Sequence, residues 1–173
     1  MRYISLLRGI NVSGHNKIAM KDLKIMYENL GLRQVNTYIQ SGNVLFDAHE
    51  GFEVSKIEQA ITQHFNLQIK VFIFEVNDIA KALGQNPFWQ SADAACLYYT
   101  FLDSVPNQEL ADKIERQKYL PDEWTIVEKV LFLHCPNGYG KTKLTNNFFE
   151  QKLKVNATTR NQKTLLTLLE MAQ

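Results

Sequence analysis

The chain has 173 residues, of which 45% are hydrophobic and 21% charged, and its formal net charge is +1. This composition is typical of a globular protein and excludes a disordered chain, and a chain of this length buries about 70% of its unfolded surface. Long nucleic acids and anionic membranes usually select a strong basic excess, so neither is favoured as a partner.

The first half of the chain predicts six elements from the spacing of its apolar residues. In chain order they are a strand at 3–7, a helix at 20–30, a hairpin of strands at 35–39 and 44–46, a helix at 54–65 and a strand at 69–74. The order β-α-β-β-α-β is the split βαβ pattern of ferredoxin-like domains. The turn signal Gln40-Ser-Gly-Asn43 joins the two hairpin strands.

The second half predicts a related but less regular succession. Its elements are a short helix at 78–83, a Pro-bearing loop at 86–89, a strand at 96–102, a helix at 108–118, a hairpin at 124–127 and 130–134, and helices at 144–153 and 165–171. We therefore predict an α+β fold with a ferredoxin-like first half and a less regular α+β second half. The predicted domain bounds are 1–76, a connector at 77–94, and a second subdomain at 95–173 packed against the first.

The two cysteines indicate a reducing environment. Cys96 and Cys135 lie in or beside apolar runs, which is typical of reduced core thiols and not of a disulfide framework. The N-terminus has no signal-peptide pattern, and no apolar stretch approaches the roughly 18 residues of a spanning helix. We expect a cytoplasmic protein that does not enter a membrane.

Gly140-Lys-Thr142 is similar to part of a phosphate-binding P-loop but fails two requirements. A P-loop needs a glycine five residues before Gly140, where this chain has Cys135, and the surrounding pattern lacks β-α-β alternation. What remains is a glycine-rich turn that places Lys141 and Lys143 in the first turn of a predicted helix. A helix N-terminus is partially positive, so an anion bound there would explain these lysines.

Arg160 and Asn161 are predicted in the first turn of the last helix. Thr159 and Gln162 fit a capping box, which explains those two residues without a ligand. It does not explain Arg160, which either a bound anion or a nearby carboxylate would stabilise. Both alternatives stay open.

Two polar loops in the first half contain further candidate binding residues. Strand alternation places Arg8 at the rim of the apolar core, where its partner is a carboxylate of this chain or an external anion. Asn11 lies in the same loop. Gly42 and Asn43 fit a tight turn, which is the favoured interpretation; alternatively, Ser41 and Asn43 offer donors to a ligand.

Catalysis has little support in the sequence. No Ser-His-Asp, Cys-His or metal-ligand set can be assembled from spacing, so we expect no metal and no cofactor, and enzymatic activity stays open. Single-stranded nucleic-acid binding is a further alternative, because split βαβ sheets can stack bases. However, the strand at 44–46 lacks the aromatic and basic residues of an RNA-recognition motif.

Four stretches in chain order carry a resemblance to a known family. They are Leu6-Leu-Arg-Gly-Ile-Asn-Val12, Thr37-Tyr-Ile-Gln-Ser-Gly-Asn-Val44, Asn86-Pro-Phe88 and Thr158-Thr-Arg-Asn161. The chain resembles the bacterial family known as domain of unknown function 1697, and the resemblance implies a two-part α+β organisation. It implies no activity, cofactor or catalytic residue. Two residues depart from the family pattern: Ser13 stands where a second glycine is expected, and Gln162 where an aromatic or similar residue is expected.

The leading hypothesis is a cytosolic binding domain, with or without catalysis, that has one cleft for a small anionic or phosphorylated ligand. Eight residues would line the cleft: Arg8, Asn11, Ser41, Asn43, Lys141, Lys143, Arg160 and Asn161. The arginines and lysines would neutralise charge, and the amides and hydroxyl would orient the ligand. The rival is a protein-interaction or assembly module in which Arg8 and Arg160 are covered and paired within the chain. The oligomeric state stays open.

Overall fold

A computed structural model describes all 173 residues and contains two four-stranded antiparallel sheets and six helices. The chain divides into two compact units, Met1–Ala80 with Thr167–Gln173, and Lys81–Leu166. The predicted α+β class is confirmed. None of the helices combines the length and the apolar character needed to cross a bilayer.

The first half forms the six predicted elements, and the short helix predicted at 78–83 follows them as α3. They are β1 (Arg2–Leu7), α1 (Met20–Asn29), β2 (Arg33–Tyr38), β3 (Asn43–Asp47), α2 (Val54–Phe65), β4 (Val71–Glu75) and α3 (Val76–Gly84). The strand order is β2-β3-β1-β4, with every neighbour antiparallel. The near-continuous apolar run of β1 suits a central strand, because it is covered on both faces.

The core of the first unit lies between one face of this sheet and two helices. Leu7, Val44 and Phe46 of the sheet pack in one cluster with Tyr27 of α1 and Ile61 of α2. The only polar group that Tyr27 brings into the core is its hydroxyl, which lies 2.9 Å from the Ser5 hydroxyl. Burial raises the pKa of Tyr27, so the side chain stays neutral and bonded.

The turn between β2 and β3 confirms the hairpin expected from Gln40-Ser-Gly-Asn43. The Gly42 carbonyl accepts from the Leu7 backbone N–H at 2.8 Å, which ties the turn to the end of β1. Gly42 has φ of 74°, and a Cβ there would lie 2.7 Å from the Leu7 Cβ and 2.9 Å from the Ile10 side chain. Backbone conformation and close packing both require glycine at this position.

The second half repeats the same succession of elements. They are β5 (Leu97–Leu102), α4 (Gln108–Asp112), β6 (Glu123–Val127), β7 (Val130–His134), α5 (Asn146–Leu153), β8 (Ala157–Asn161) and α6 (Gln162–Met171). Its strand order, β6-β7-β5-β8, matches the order of the first sheet position by position. Both halves therefore have the order β-α-β-β-α-β followed by a helix. The second half, which was predicted to be less regular, thus also has all six elements.

The missing element in the sequence-based prediction was β8. Residues 158–161 were expected to begin the last helix, but they continue a strand that pairs with β5 from Ala157 to Asn161. The strand is polar in sequence, and both of its threonine hydroxyls have partners: Thr159 Oγ1 lies 2.7 Å from Thr100 Oγ1, and Thr158 Oγ1 accepts from Arg160 Nη1 at 2.9 Å. Pairing with a central strand outweighs the local capping signal.

The helix predicted over 108–118 is also shorter than expected. It ends at Asp112, and the chain continues as a short 3₁₀ turn over Arg116–Tyr119. The Arg116 guanidinium stacks on the Trp124 ring at 4.0 Å and donates to the Trp124 carbonyl. These tertiary contacts hold Arg116 against β6. The chain therefore forms the 3₁₀ turn at this point and does not continue the helix.

Two glycine variants separate backbone strain from steric overlap in the hairpin turn. Gly42→Ala should lower the free energy of unfolding by about 2–5 kcal/mol, because it adds overpacking to the cost of positive φ. Gly51→Ala is the matched control: Gly51 also has φ of 74°, but a Cβ there meets nothing within 4 Å. It should cost only about 1–2 kcal/mol. Urea unfolding measures both, and equal losses would contradict the close packing at Gly42.

Candidate functional site

The glycine-rich segment after β7 forms a compact turn. Cys135 is buried, and its N–H donates to the Cys96 carbonyl at 2.9 Å; both cysteines are free thiols. Gly138 follows with φ of 85° and ψ of 152°, a combination that favours glycine. Its carbonyl accepts from the Lys141 N–H at 3.1 Å, which closes a single 3₁₀ turn over Tyr139–Lys141.

Tyr139 and Thr142 anchor this turn to the second unit. The Tyr139 ring packs on Tyr98 with centroids 5.1 Å apart, and its N–H donates to the Tyr98 hydroxyl. Thr142 is buried and accepts from the Leu144 N–H at 3.0 Å. Thr142 and Leu144 are buried, whereas Lys141 and Lys143, which alternate with them, are exposed.

Lys141 and Lys143 line one cavity of about 240 Å³. The other lining residues are Lys118, Tyr119, Leu120, Pro121, Asp122 and Asn137. Neither Lys141 nor Lys143 forms an ion pair or a side-chain hydrogen bond within the chain, whereas Lys118 pairs with Glu115 at 2.6 Å. The lining has three ammonium groups and one carboxylate, Asp122, so the cavity carries a net positive charge.

The position of these lysines relative to the next helix differs from the sequence-based expectation. α5 begins at Asn146, and Thr145 caps it by accepting from the Phe148 N–H at 3.3 Å. Lys141 and Lys143 precede the helix and are not in its first turn. The dipole of α5 therefore does not act at these two lysines, and the positive charge of the segment comes from their ammonium groups.

Asn161 caps the last helix. It ends β8, and its Oδ1 accepts from the Thr164 N–H at 2.8 Å, three residues on, which is an N-cap bond. The expected capping box of Thr159 and Gln162 is wrong, because Thr159 lies in the strand and the side-chain Oε1 of Gln162 accepts from the Tyr99 hydroxyl at 2.8 Å. Asn161 has a structural role that the sequence pattern assigned to Thr159.

Arg160 lies in β8, not in a helix, and only 8% of it is exposed. Its Nη1 donates to the Thr158 hydroxyl at 2.9 Å and to the Thr159 carbonyl at 2.8 Å. Burial lowers the pKa of Arg160 to about 10, so the side chain is still charged at neutral pH. At least two of its donor bonds are thus made within its own strand.

Asn11 and Arg8 of the first unit hydrogen-bond to backbone groups of their own and of neighbouring segments. The Asn11 carboxamide makes three bonds of 2.9 Å: Nδ2 donates to the Ile18 and Gln40 carbonyls, and Oδ1 accepts from the Ile18 N–H. Asn11 therefore joins its loop to the hairpin. Arg8 is half-buried directly after β1, and its N–H donates to the Lys70 carbonyl at 2.9 Å.

Ser41 and Asn43 form a small network inside the hairpin. Asn43 is fully buried, and its Nδ2 donates to the Ser41 hydroxyl at 2.9 Å and to the Tyr38 carbonyl at 3.1 Å. These bonds close the turn between β2 and β3. Within the first unit, Asn11 bonds to Gln40 beside this turn, so these polar side chains support one loop cluster.

Six of the eight cavity residues were not among the sequence-based candidates, and two of these six, Lys118 and Asn137, add nitrogen donors to the lining. Lys118 was predicted within a regular helix, and Asn137 belongs to the glycine-rich segment whose lysines alone were selected. Lys118 reaches the cavity because the chain leaves α4 and forms the 3₁₀ turn over Arg116–Tyr119. Pro121, which lines the same cavity two residues after that turn, is the local signal that a helix could not continue much further.

The comparisons with known proteins agree with this two-unit α+β fold. The chain belongs to the family described as Protein of unknown function (DUF1697), whose pattern matches residues 1–132. Three of the four resembling stretches lie in that range, and the Thr158–Asn161 stretch lies outside it. The family resemblance is therefore confirmed.

One solved structure extends the comparison over the full chain. It is the conserved bacterial protein SP0830 from Streptococcus pneumoniae, which is 26% identical, with a TM-score of 0.78 over 99% of this chain and 98% of that chain. No curated protein matches. The relatives thus support the fold and leave the function to the chemistry of the site.

Replacing Asn161 tests its role as a helix cap. Asn161→Ala should lower the free energy of unfolding by about 1 kcal/mol, because the Thr164 N–H loses its acceptor. Asn161→Asp keeps an acceptor at the same position and should remain close to the wild-type stability. Chemical denaturation of the three proteins checks this, and an alanine variant as stable as the aspartate variant would contradict the cap.

Proposed function

We propose that the protein binds a small anionic or phosphorylated ligand in the lysine cavity, the cavity lined by Lys118, Lys141 and Lys143. The observation that supports this most strongly is the absence of any ion pair at Lys141 and Lys143. Two like charges beside one cavity repel each other, and an anion between them removes that repulsion. The Asn137 amide adds a donor to the same lining.

The exposure of the ammonium groups sets the strength of this interaction. A charge pair 4 Å apart is worth about 1 kcal/mol in bulk water and about 4 kcal/mol near a protein surface. Lys141 and Lys143 are exposed, so their contribution is nearer to the lower figure. Binding of phosphate alone should accordingly be weak and should weaken further with salt, because the screening length falls to about 10 Å at 0.1 M.

The proposed site is smaller than the eight-residue cleft expected from the sequence. Asn11, Asn43 and Asn161 use their side chains to hold loops and a helix end, and Arg160 donates within its own strand. These bonds also support a second candidate function, the assembly module in which the polar motifs are structural. Such a module has no need of the unpaired Lys141 and Lys143, so ligand binding is the function we favour.

Two further properties belong to this proposal. We infer a ferredoxin-like first unit, which the β-α-β-β-α-β succession and the order β2-β3-β1-β4 support. We also infer that the protein works in the cytoplasm as a reduced protein. The free thiols of Cys96 and Cys135 support that location, since oxidising compartments favour disulfides.

Calorimetric titration with inorganic phosphate and with sugar phosphates at low salt tests the proposed function. The wild-type protein should bind at least one of them, with an affinity that falls as salt rises. The Lys141→Ala/Lys143→Ala variant should lose tenfold or more in affinity while unfolding at an unchanged temperature without ligand, because both side chains are exposed.

The matched control removes two other exposed lysines of the same unit. Lys113→Ala/Lys152→Ala changes the net charge by the same amount, and neither residue lines the cavity. The control should bind like the wild-type protein. Equal losses in the two variants would show a general effect of net charge, and would remove the lysine cavity as the binding site.

A further inference from the structure

A second cavity lies directly beside the lysine cavity. Its volume is about 350 Å³, and its lining includes Phe88, Arg116, Leu120, Asp122, Glu123 and Trp124. Leu120 and Asp122 line both cavities, so these two residues form the wall between them. We refer to this second space as the aromatic cavity.

The volumes of the two cavities suggest one ligand that enters both. Sites for small molecules usually have about 300–1,000 Å³. The aromatic cavity lies within that range, whereas the lysine cavity, at about 240 Å³, lies below it. The lysine cavity suits a phosphate group, and the remainder of a larger phosphorylated ligand needs the neighbouring space.

The aromatic cavity contains a planar platform. The Arg116 guanidinium carbon lies over the Trp124 ring, 4.0 Å from the ring centroid, and Nη1 donates to the Trp124 backbone carbonyl, so the planar guanidinium is held at two points. Trp124 itself is buried, with its ring centroid 5.6 Å from that of Phe149, whereas Arg116 is exposed. A planar ring of a ligand can stack on a guanidinium held in this way.

Phe88 supplies a second ring to the same cavity. The Asn86 side-chain oxygen accepts from the Phe88 N–H at 2.9 Å, and the Phe88 ring lies 5.9 Å from the His134 ring. His134 in turn lies 3.5 Å from the Glu123 carboxylate. The family stretch Asn86-Pro-Phe88 therefore positions an aromatic side chain at the cavity, which the sequence comparison alone did not explain.

The polar groups of the aromatic cavity complement an amino-substituted heterocycle. Asp122 and Glu123 provide carboxylate acceptors, and Gln117 and Thr125 provide groups that donate and accept. Carboxylates accept well from the exocyclic amino group of a nucleobase. An anionic ring system would instead be repelled by the two carboxylates.

We propose that the ligand is a nucleotide, with its base in the aromatic cavity and its phosphate in the lysine cavity. This proposal deepens the proposed function and rests on it. Lys141 and Lys143 hold the phosphate, Arg116 and Phe88 contact the faces of the base, and Asp122 or Glu123 accepts from its amino group. The ribose spans the wall at Leu120.

The test uses the full chain and the tryptophan next to the proposed base. The protein has two tryptophans, and Trp89→Phe leaves Trp124 as the only one. Trp89 is 51% exposed and does not line the aromatic cavity, so this variant should fold normally. The four ribonucleoside 5′-monophosphates, ribose 5-phosphate and inorganic phosphate are titrated, with calorimetry for affinity and Trp124 fluorescence as the local signal.

We expect at least one nucleotide to bind about tenfold tighter than ribose 5-phosphate, because stacking of a base raises the affinity by about tenfold or more. That nucleotide should quench Trp124, and ribose 5-phosphate should not. Phe88→Leu should remove most of the advantage of the base and leave the affinity for ribose 5-phosphate unchanged. Arg116→Lys, which keeps the charge but loses the planar group, is the second variant if Phe88→Leu does not fold.

The outcomes separate this proposal from the proposed function. Equal binding of nucleotides and ribose 5-phosphate, with a loss in Lys141→Ala/Lys143→Ala, would overturn the nucleotide proposal and leave anion binding in place. The absence of binding by every phosphate compound would overturn both. A nucleotide preference that both Phe88→Leu and Arg116→Lys retain would place the base elsewhere and also overturn the proposal.

Discussion

Both sheets depend on a central strand that needs antiparallel partners on each side. β1 pairs with β3 and β4, and β5 pairs with β7 and β8, so the backbone groups of an almost wholly buried strand are bonded on both edges. This requirement accounts for the shared order β-α-β-β-α-β of the two halves. It also recruits the polar strand β8, without which one edge of β5 would be unpaired.

The same arrangement determines where the lysine cavity forms. β7 must pair along its length with β5 and β6, so the chain leaves the sheet at His134 and turns at Gly138 before α5 begins. Tyr139 and Thr142 fasten that turn to the unit, and the alternation that follows leaves Lys141 and Lys143 exposed beside the 3₁₀ turn of Lys118. The packing of the segment between β7 and α5 thus determines where the candidate site lies.

Much of the fold could be predicted from the sequence. A strand or helix that buries one face has apolar residues at regular spacing, and that spacing can be recognised in the sequence. The hairpin around Gly42 is an example. β8 could not be predicted, since Thr158, Thr159 and Arg160 carry no strand pattern and become a strand only by pairing with β5. The site was predictable in part: the lysine pair stood out as unusual, but Lys118 depends on a helix end that tertiary contacts impose.

The central claim is that the ligand occupies the lysine cavity and not the polar loops of the first unit. Backbone amide chemical shifts, followed by NMR while phosphate is added at low salt, test it most directly. We expect the largest changes at residues 137–143 and at Lys118. Changes concentrated at Arg8, Asn11, Ser41 and Asn43, with residues 137–143 unaffected, would contradict it.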